Sequence, residues 1–173
     1  MSDIVLQHLD QGLLTITMNR PDRRNALNAE MVSGLIEAAR RAADDGEVRA
    51  VLLKGAGGTF FLTQMLGSAK ARELYLLSPV LSAQEAHALG MVTRVVPDAE
   101  VETAARDLAM SLAQGPTVTL GYIKKNINNA ESLSLEACFD GEALHHSRCS
   151  DTADHKEAAA AFVAKRTPVF KGH

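Results

Sequence analysis

Apolar and polar residues alternate from Ile4 to Leu9 and the pattern resumes from Leu13 to Met18, with Gly12 between them. Period-two alternation on either side of a glycine predicts two strands joined in a hairpin. Asn19-Arg20-Pro21-Asp22 breaks the second strand, since Pro21 removes a donor and restricts Arg20. The period then changes. Asn28 is a candidate N-cap, and Met31, Leu35, Ile36 and Ala39 recur at helical spacing as far as Ala43. Asp44-Asp45-Gly46 ends that helix, and Val48 to Lys54 reads as a further strand. Strand, strand, helix, strand is the opening of an α/β sheet.

Gly55-Ala56-Gly57-Gly58 makes a flexible turn after that strand, of the kind that lets a backbone approach a ligand closely. Two residues later the pattern turns helical, over Phe61–Leu66 and Ala69–Leu77. A helix over Ala83–Leu89 starts at the capping box Ser82-Ala83-Gln84-Glu85 and stops at Gly90. Val92–Val96 reads as a short strand. Helices follow over about 100–114, 116–130, 135–147 and 152–165, with Pro116 suited to a first helical turn. The spacing shows no repeat and no low-complexity linker.

Composition narrows the class. A chain of 173 residues with 46% hydrophobic and 23% charged residues is globular and long enough for a core. A net charge of −3 gives no electrostatic reason to expect nucleic acid or a membrane surface as partner. No apolar run reaches the roughly 18 residues of a membrane span, and Met1-Ser2-Asp3 does not open a signal peptide. The two cysteines, Cys138 and Cys149, make no disulfide framework, so a cytoplasmic location is the expectation.

The sequence resembles the enoyl-CoA hydratase/isomerase (crotonase) superfamily. The resemblance rests on Asn19-Arg20-Pro21 with Asn25-Ala26-Leu27-Asn28, on Leu81-Ser82-Ala83-Gln84-Glu85-Ala86, on Leu89-Gly90-Met91-Val92 with Val95-Val96-Pro97, and on Asp154-His155-Lys156-Glu157-Ala158 through Pro168-Val169-Phe170. These matches span nearly the whole chain in order. They imply an α/β fold with a crotonase-like (ClpP/crotonase) core over residues 1–97, shortened internally at 60/61. A helical C-terminal region over 98–173 follows, serving oligomerisation and coenzyme A contact. They also imply an acyl-CoA substrate, no tightly bound cofactor beyond the coenzyme A of that substrate, and a homo-trimer or hexamer.

The departure from the family pattern is equally specific. In the family, a turn like Gly55-Ala56-Gly57-Gly58-Thr59-Phe60 continues into Cys-Ala-Gly-x-Asp and further turns of the core, and the pattern resumes only at a segment like Phe61-Leu62-Thr63. In this chain Phe60 precedes Phe61 directly. The resemblance implies a mechanism in which two backbone N–H groups polarise a thioester carbonyl and stabilise an enolate, such donors being worth about 2.7–4 kcal/mol each. Both donors, and the carboxylates that handle the α-proton or water, belong to the stretch between those segments. No catalytic residue is therefore assigned. Glu73 and Glu85 read as solvated helix positions.

Coenzyme A recognition is what the resemblance does carry over. It places Arg24, Asn25, Ala26 and Leu27 along pantetheine and adenine, with Arg24 suited to phosphate. It also places Phe162 and Lys165, three apart on one helical face, against the adenine nucleotide; the plainer reading of Phe162 is core packing. His145 and Cys149, with His146, Cys138 and His155 nearby, have spacing that can bind zinc, but the paired cysteines of a structural site are missing, and no metal site is assigned.

Three functions are consistent with these residues. The favoured one is an acyl-CoA hydratase or isomerase whose internal segment between Phe60 and Phe61 is missing, either unbuilt or left out of the sequence. The others are a joined deletion form that binds coenzyme A or oligomerises without catalysis, and an interaction protein using the helical half. The C-terminal run resembles both hydratases and the ring-epoxide isomerases of phenylacetate catabolism.

Overall fold

The computed structural model describes residues 4–23, 25–55 and 59–173, with only the backbone of Thr59 and Phe60. The hairpin forms as its alternation predicts. β1 (Val5–Asp10) pairs antiparallel with β2 (Leu13–Met18), from Val5 opposite Met18 to Asp10 opposite Leu13. The tight turn puts Gln11 and Gly12 at φ 48° and 79°. β3 (Ala50–Lys54) lies parallel on the other side of β2, giving the order β1-β2-β3.

A parallel neighbour needs a crossover, and α1 (Ala29–Asp44) supplies it. Asn28 caps it, its side-chain oxygen accepting the Met31 N–H at 3.0 Å. Met31 and Ala38 are fully buried against Val5, Leu14, Ile16 and Met18, so α1 covers one face of the hairpin. Gly34 permits the close approach: a Cβ there would stand 2.8 Å from the Val5 side chain. The opposite face of the sheet meets α4 (Val101–Ala113), where Ala109 and Ala113 bury Leu13 beside Ala50 and Leu52.

The remaining elements are α2 (Thr59–Leu77), α3 (Ala83–Ala88), α5 (Thr117–Ala130), α6 (Leu135–Ser150) and α7 (Ala153–Val163). The Ser82–Glu85 capping box forms as read. Thr59 to Leu77 form α2, broken at Gly67, whose φ of 75° and ψ of 161° leave the helical region. Two expectations are corrected. Val92–Val96 is not a strand: the only sheet among the described residues is β1-β2-β3, and an extended segment without a neighbour has no ladder to join. Pro116 sits at the N-cap of α5, one residue before the first turn.

The halves on either side of the seam are tied directly. Arg106 pairs with Asp10 at 2.6 Å and Lys54 with Glu102 at 2.7 Å. Arg49 donates to Thr117 Oγ1 at 3.0 Å and to the Gly115 carbonyl at 2.8 Å. The fold is nevertheless open. Its accessible surface is 12,307 Å², against about 8,200 Å² for an ordinary monomer of 18.5 kDa.

Candidate functional site

Arg24 lies outside the described residues. The rest of its loop is tightly built, and Arg20 is the residue that builds it. Asn25 takes a left-handed conformation (φ 56°), which asparagine tolerates better than most residues. In that conformation its Oδ1 accepts the Arg20 N–H at 2.8 Å while its own N–H donates to the Arg20 carbonyl at 2.9 Å. The Arg20 guanidinium donates to the Ala26 carbonyl at 2.6 Å. Leu27 is exposed, an apolar side chain turned to solvent just before the cap of α1.

This loop leans on the end of β3. Gly55 has φ 85°, and a Cβ there would stand 2.7 Å from the Asn25 amide nitrogen. The glycine that opens the turn after β3 thus makes room for the Asn25 side chain. Sequence reasoning singled out Asn25 to Leu27 but not Arg20 as their organiser; the signal was the Asn19-Arg20-Pro21 run itself, whose proline sends the chain into the short 3₁₀ turn Pro21–Arg23.

Phe162 and Lys165 stand elsewhere. α7 ends at Val163, and Lys165 lies beyond it with φ 53°. The Lys165 N–H donates to the Phe162 carbonyl and the Arg166 N–H to the Ala161 carbonyl, at 3.2 and 3.0 Å, which is a Schellman closure with lysine where glycine is usual. The two residues therefore do not share a helical face as read; the left-handed turn re-aims Lys165. Phe162 is 85% exposed, which corrects the core-packing reading. Among the described residues no hydrogen bond or ion pair joins either residue to the 25–27 loop.

The carboxylates near these elements have structural partners. Glu73 pairs with Lys70 at 2.6 Å. Glu85 closes its capping box, and the Ser82 hydroxyl and N–H hold its carboxyl below the usual range. Hydrogen bonding and charge from Lys54 lower Glu102. Glu157 is held at about 2, first by the Arg166 guanidinium and next by the Val169 N–H. The shifts of Glu85, Glu102 and Glu157 run downward, away from the raised value that suits a proton-donating carboxyl. His145 is buried, stacked on Tyr122 with ring centroids 4.4 Å apart and hydrogen-bonded through Nδ1 to Asn126. No cluster of three or more metal-ligating side chains occurs among the described residues.

The sequence profile of the enoyl-CoA hydratase/isomerase family matches residues 8–61 and 53–173, two stretches that overlap at the seam. The chain belongs to this family. It is similar to the 1,2-epoxyphenylacetyl-CoA isomerase of Escherichia coli (strain K12), 27% identical over 261 aligned positions that cover 99% of this chain and 100% of that protein. An alignment of that length exceeds the chain by nearly ninety positions. It is also 32% identical over 146 residues to the "Probable enoyl-CoA hydratase" of Rhodobacter capsulatus, covering 84% of this chain and 57% of that one. The chain thus spans little more than half the length of that relative. Among solved structures, the enoyl-CoA hydratase of Bacillus anthracis superposes with a TM-score of 0.87 at 19% identity, over 99% of this chain and all of that one. The crotonase fold is therefore shared, and this member is internally shorter than its relatives. No helix among the described residues is long and apolar enough to cross a membrane.

Proposed function

We propose that this chain is an acyl-CoA-binding member of the enoyl-CoA hydratase/isomerase family that lacks hydration or isomerisation chemistry of its own. The observation that carries this reading is the shortened core: the alignment with the isomerase relative exceeds this chain by nearly ninety positions, and α2 begins five residues after the end of β3. The core stretch that would carry two N–H donors and the acid–base carboxylates has no counterpart at that point. The other reading, a hydratase or isomerase acting on a thioester enolate, applies when the full core is present.

Binding is supported by what remains. The loop at Asn25, Ala26 and Leu27 is hydrogen-bonded to Arg20, with Arg24 next to it in sequence. Coenzyme A would meet backbone groups and an exposed apolar side chain in this loop, with Arg24 as the phosphate partner. Phe162 and Lys165, both exposed beside the end of α7, would meet the adenine nucleotide of a neighbouring subunit in a trimer or hexamer.

The test uses crotonyl-CoA with the purified chain of the stated length. Isothermal titration should give saturable binding that Arg24→Ala weakens about tenfold or more, while absorbance of the conjugated thioester stays constant over hours. Turnover by that chain sinks the catalytic half of the proposal, and absence of saturable binding sinks the other half.

A further inference from the structure

β3 carries an unused edge. The Ala50 N–H donates to the Gly12 carbonyl at 3.0 Å, so Ala50 turns its main-chain groups toward β2. Strand alternation then turns the N–H and C=O of Val51 and Leu53 outward. No other described strand pairs with that edge. The side chains of Val51 and Leu53 are each 46% exposed, on the face where α1 reaches β1 and β2 but leaves β3 bare.

Such an edge usually carries a blocking charge, a proline or a bulge. The run Ala50-Val51-Leu52-Leu53 has none of these. The two cations that flank it are occupied: Lys54 by Glu102, and Arg49 by Thr117 and the Gly115 carbonyl. We infer that β3 pairs edge to edge with β3 of a second copy of this chain, antiparallel about a two-fold axis at Leu52, so that one sheet runs through both chains.

The geometry is self-complementary. With the axis at Leu52, Val51 of one chain opposes Leu53 of the other, and both outward-facing residues exchange N–H and C=O, for about four main-chain hydrogen bonds. The bare side chains of the two copies then form one apolar strip. The surface supports a second copy over a small ligand: the chain exposes roughly 4,000 Å² more than its mass predicts, and obligate homodimers bury about 2,000–5,000 Å² in total. This pairing is independent of coenzyme A binding and distinct from any contact through the C-terminal helices.

Sedimentation equilibrium of the full chain at tens of micromolar should give an even-numbered assembly. Val51→Lys, a change at a half-exposed position, should halve that mass with an unchanged circular dichroism spectrum, while Phe162→Asp should leave an even number. A wild-type monomer or odd-numbered assembly, or a folded Val51→Lys chain of wild-type mass, overturns the inference. Should Val51→Lys fail to fold, hydrogen exchange on the unmodified chain decides. Protection of the Val51 and Leu53 amides should rise with protein concentration, and fast exchange at every concentration refutes the pairing.

Discussion

Asp154 is the most deeply buried carboxylate described, 3% exposed, at the start of α7. Its two oxygens accept the N–H groups of Lys171 and Gly172 at 2.7 and 2.8 Å, while its own N–H donates to the His173 carbonyl at 3.1 Å. The tail so held passes the sheet junction: a Cβ on Gly172 would lie 3.1 Å from Thr117 Oγ1 and 3.2 Å from the Arg49 guanidinium. Asp154→Ala removes both acceptors. Hydrogen bonds to a charged acceptor are worth about 1.5–3 kcal/mol each, but an exposed tail regains water when released, so the net loss should be about 3 kcal/mol. For a chain of this size each kcal/mol moves Tm by about 2–4 °C, which predicts a fall of roughly 6–12 °C in a thermal circular dichroism scan. Exchange of the Lys171 and Gly172 amides should quicken at temperatures where the helices persist. A Tm within about 1 °C of wild type, with those amides still protected, would refute the view that Asp154 anchors the tail.

Met31 is fully buried between α1 and the hairpin, and Met31→Ala should cost about 2–5 kcal/mol by urea denaturation; a loss under 1 kcal/mol would mean that the layer is not the stabilising core. Lys165→Gly should raise stability by about 0.5–1 kcal/mol, because the left-handed conformation penalises a side chain, while weakening crotonyl-CoA binding; unchanged binding would remove Lys165 from the nucleotide contact. Glu157 has a folded pKa depressed to about 2, so its bond to Arg166 and Val169 contributes fully above the ordinary glutamate range and is lost as pH falls from about 4.5 toward 2. The Val169 amide resonance should move through that window, and Glu157→Gln should abolish the transition; a midpoint near 4.5 would show that the bond does not persist in solution.

Elements with a local signal were legible in the sequence. The hairpin follows from alternation, α1 from its period and Asn28, and α3 from Ser82 and Glu85, whose bonds lie within four residues of one another. What was illegible depends on partners distant in the chain or on rare backbone conformations. Val92–Val96 has the composition of a strand, but pairing is not a property of one segment. Lys165 reads as helical in the sequence because nothing in its residue type marks a left-handed closure, which a glycine would announce. Arg20 was invisible as an organiser for a similar reason: its bonds to Asn25 and Ala26 exist only once Asn25 turns left-handed.

The seam joins elements that do not need the absent stretch to find one another. Two of the ties across it are surface ion pairs, Arg106–Asp10 and Lys54–Glu102, and solvent-screened pairs of this kind contribute little. The larger share comes from Leu13, fully buried between Ala109 and Ala113 of α4, at about 1.5–3 kcal/mol for such a side chain. Arg49 then fixes the start of α5 to the start of β3 through partly buried bonds. Helix and sheet are therefore registered by contacts between residues near positions 10–18 and 49–54 and residues near 102–117, all outside the shortened region. A shortened member can keep the family's outline on these contacts alone while leaving β3 half-covered, which is why its surface, rather than its interior, departs most from that of an ordinary monomer.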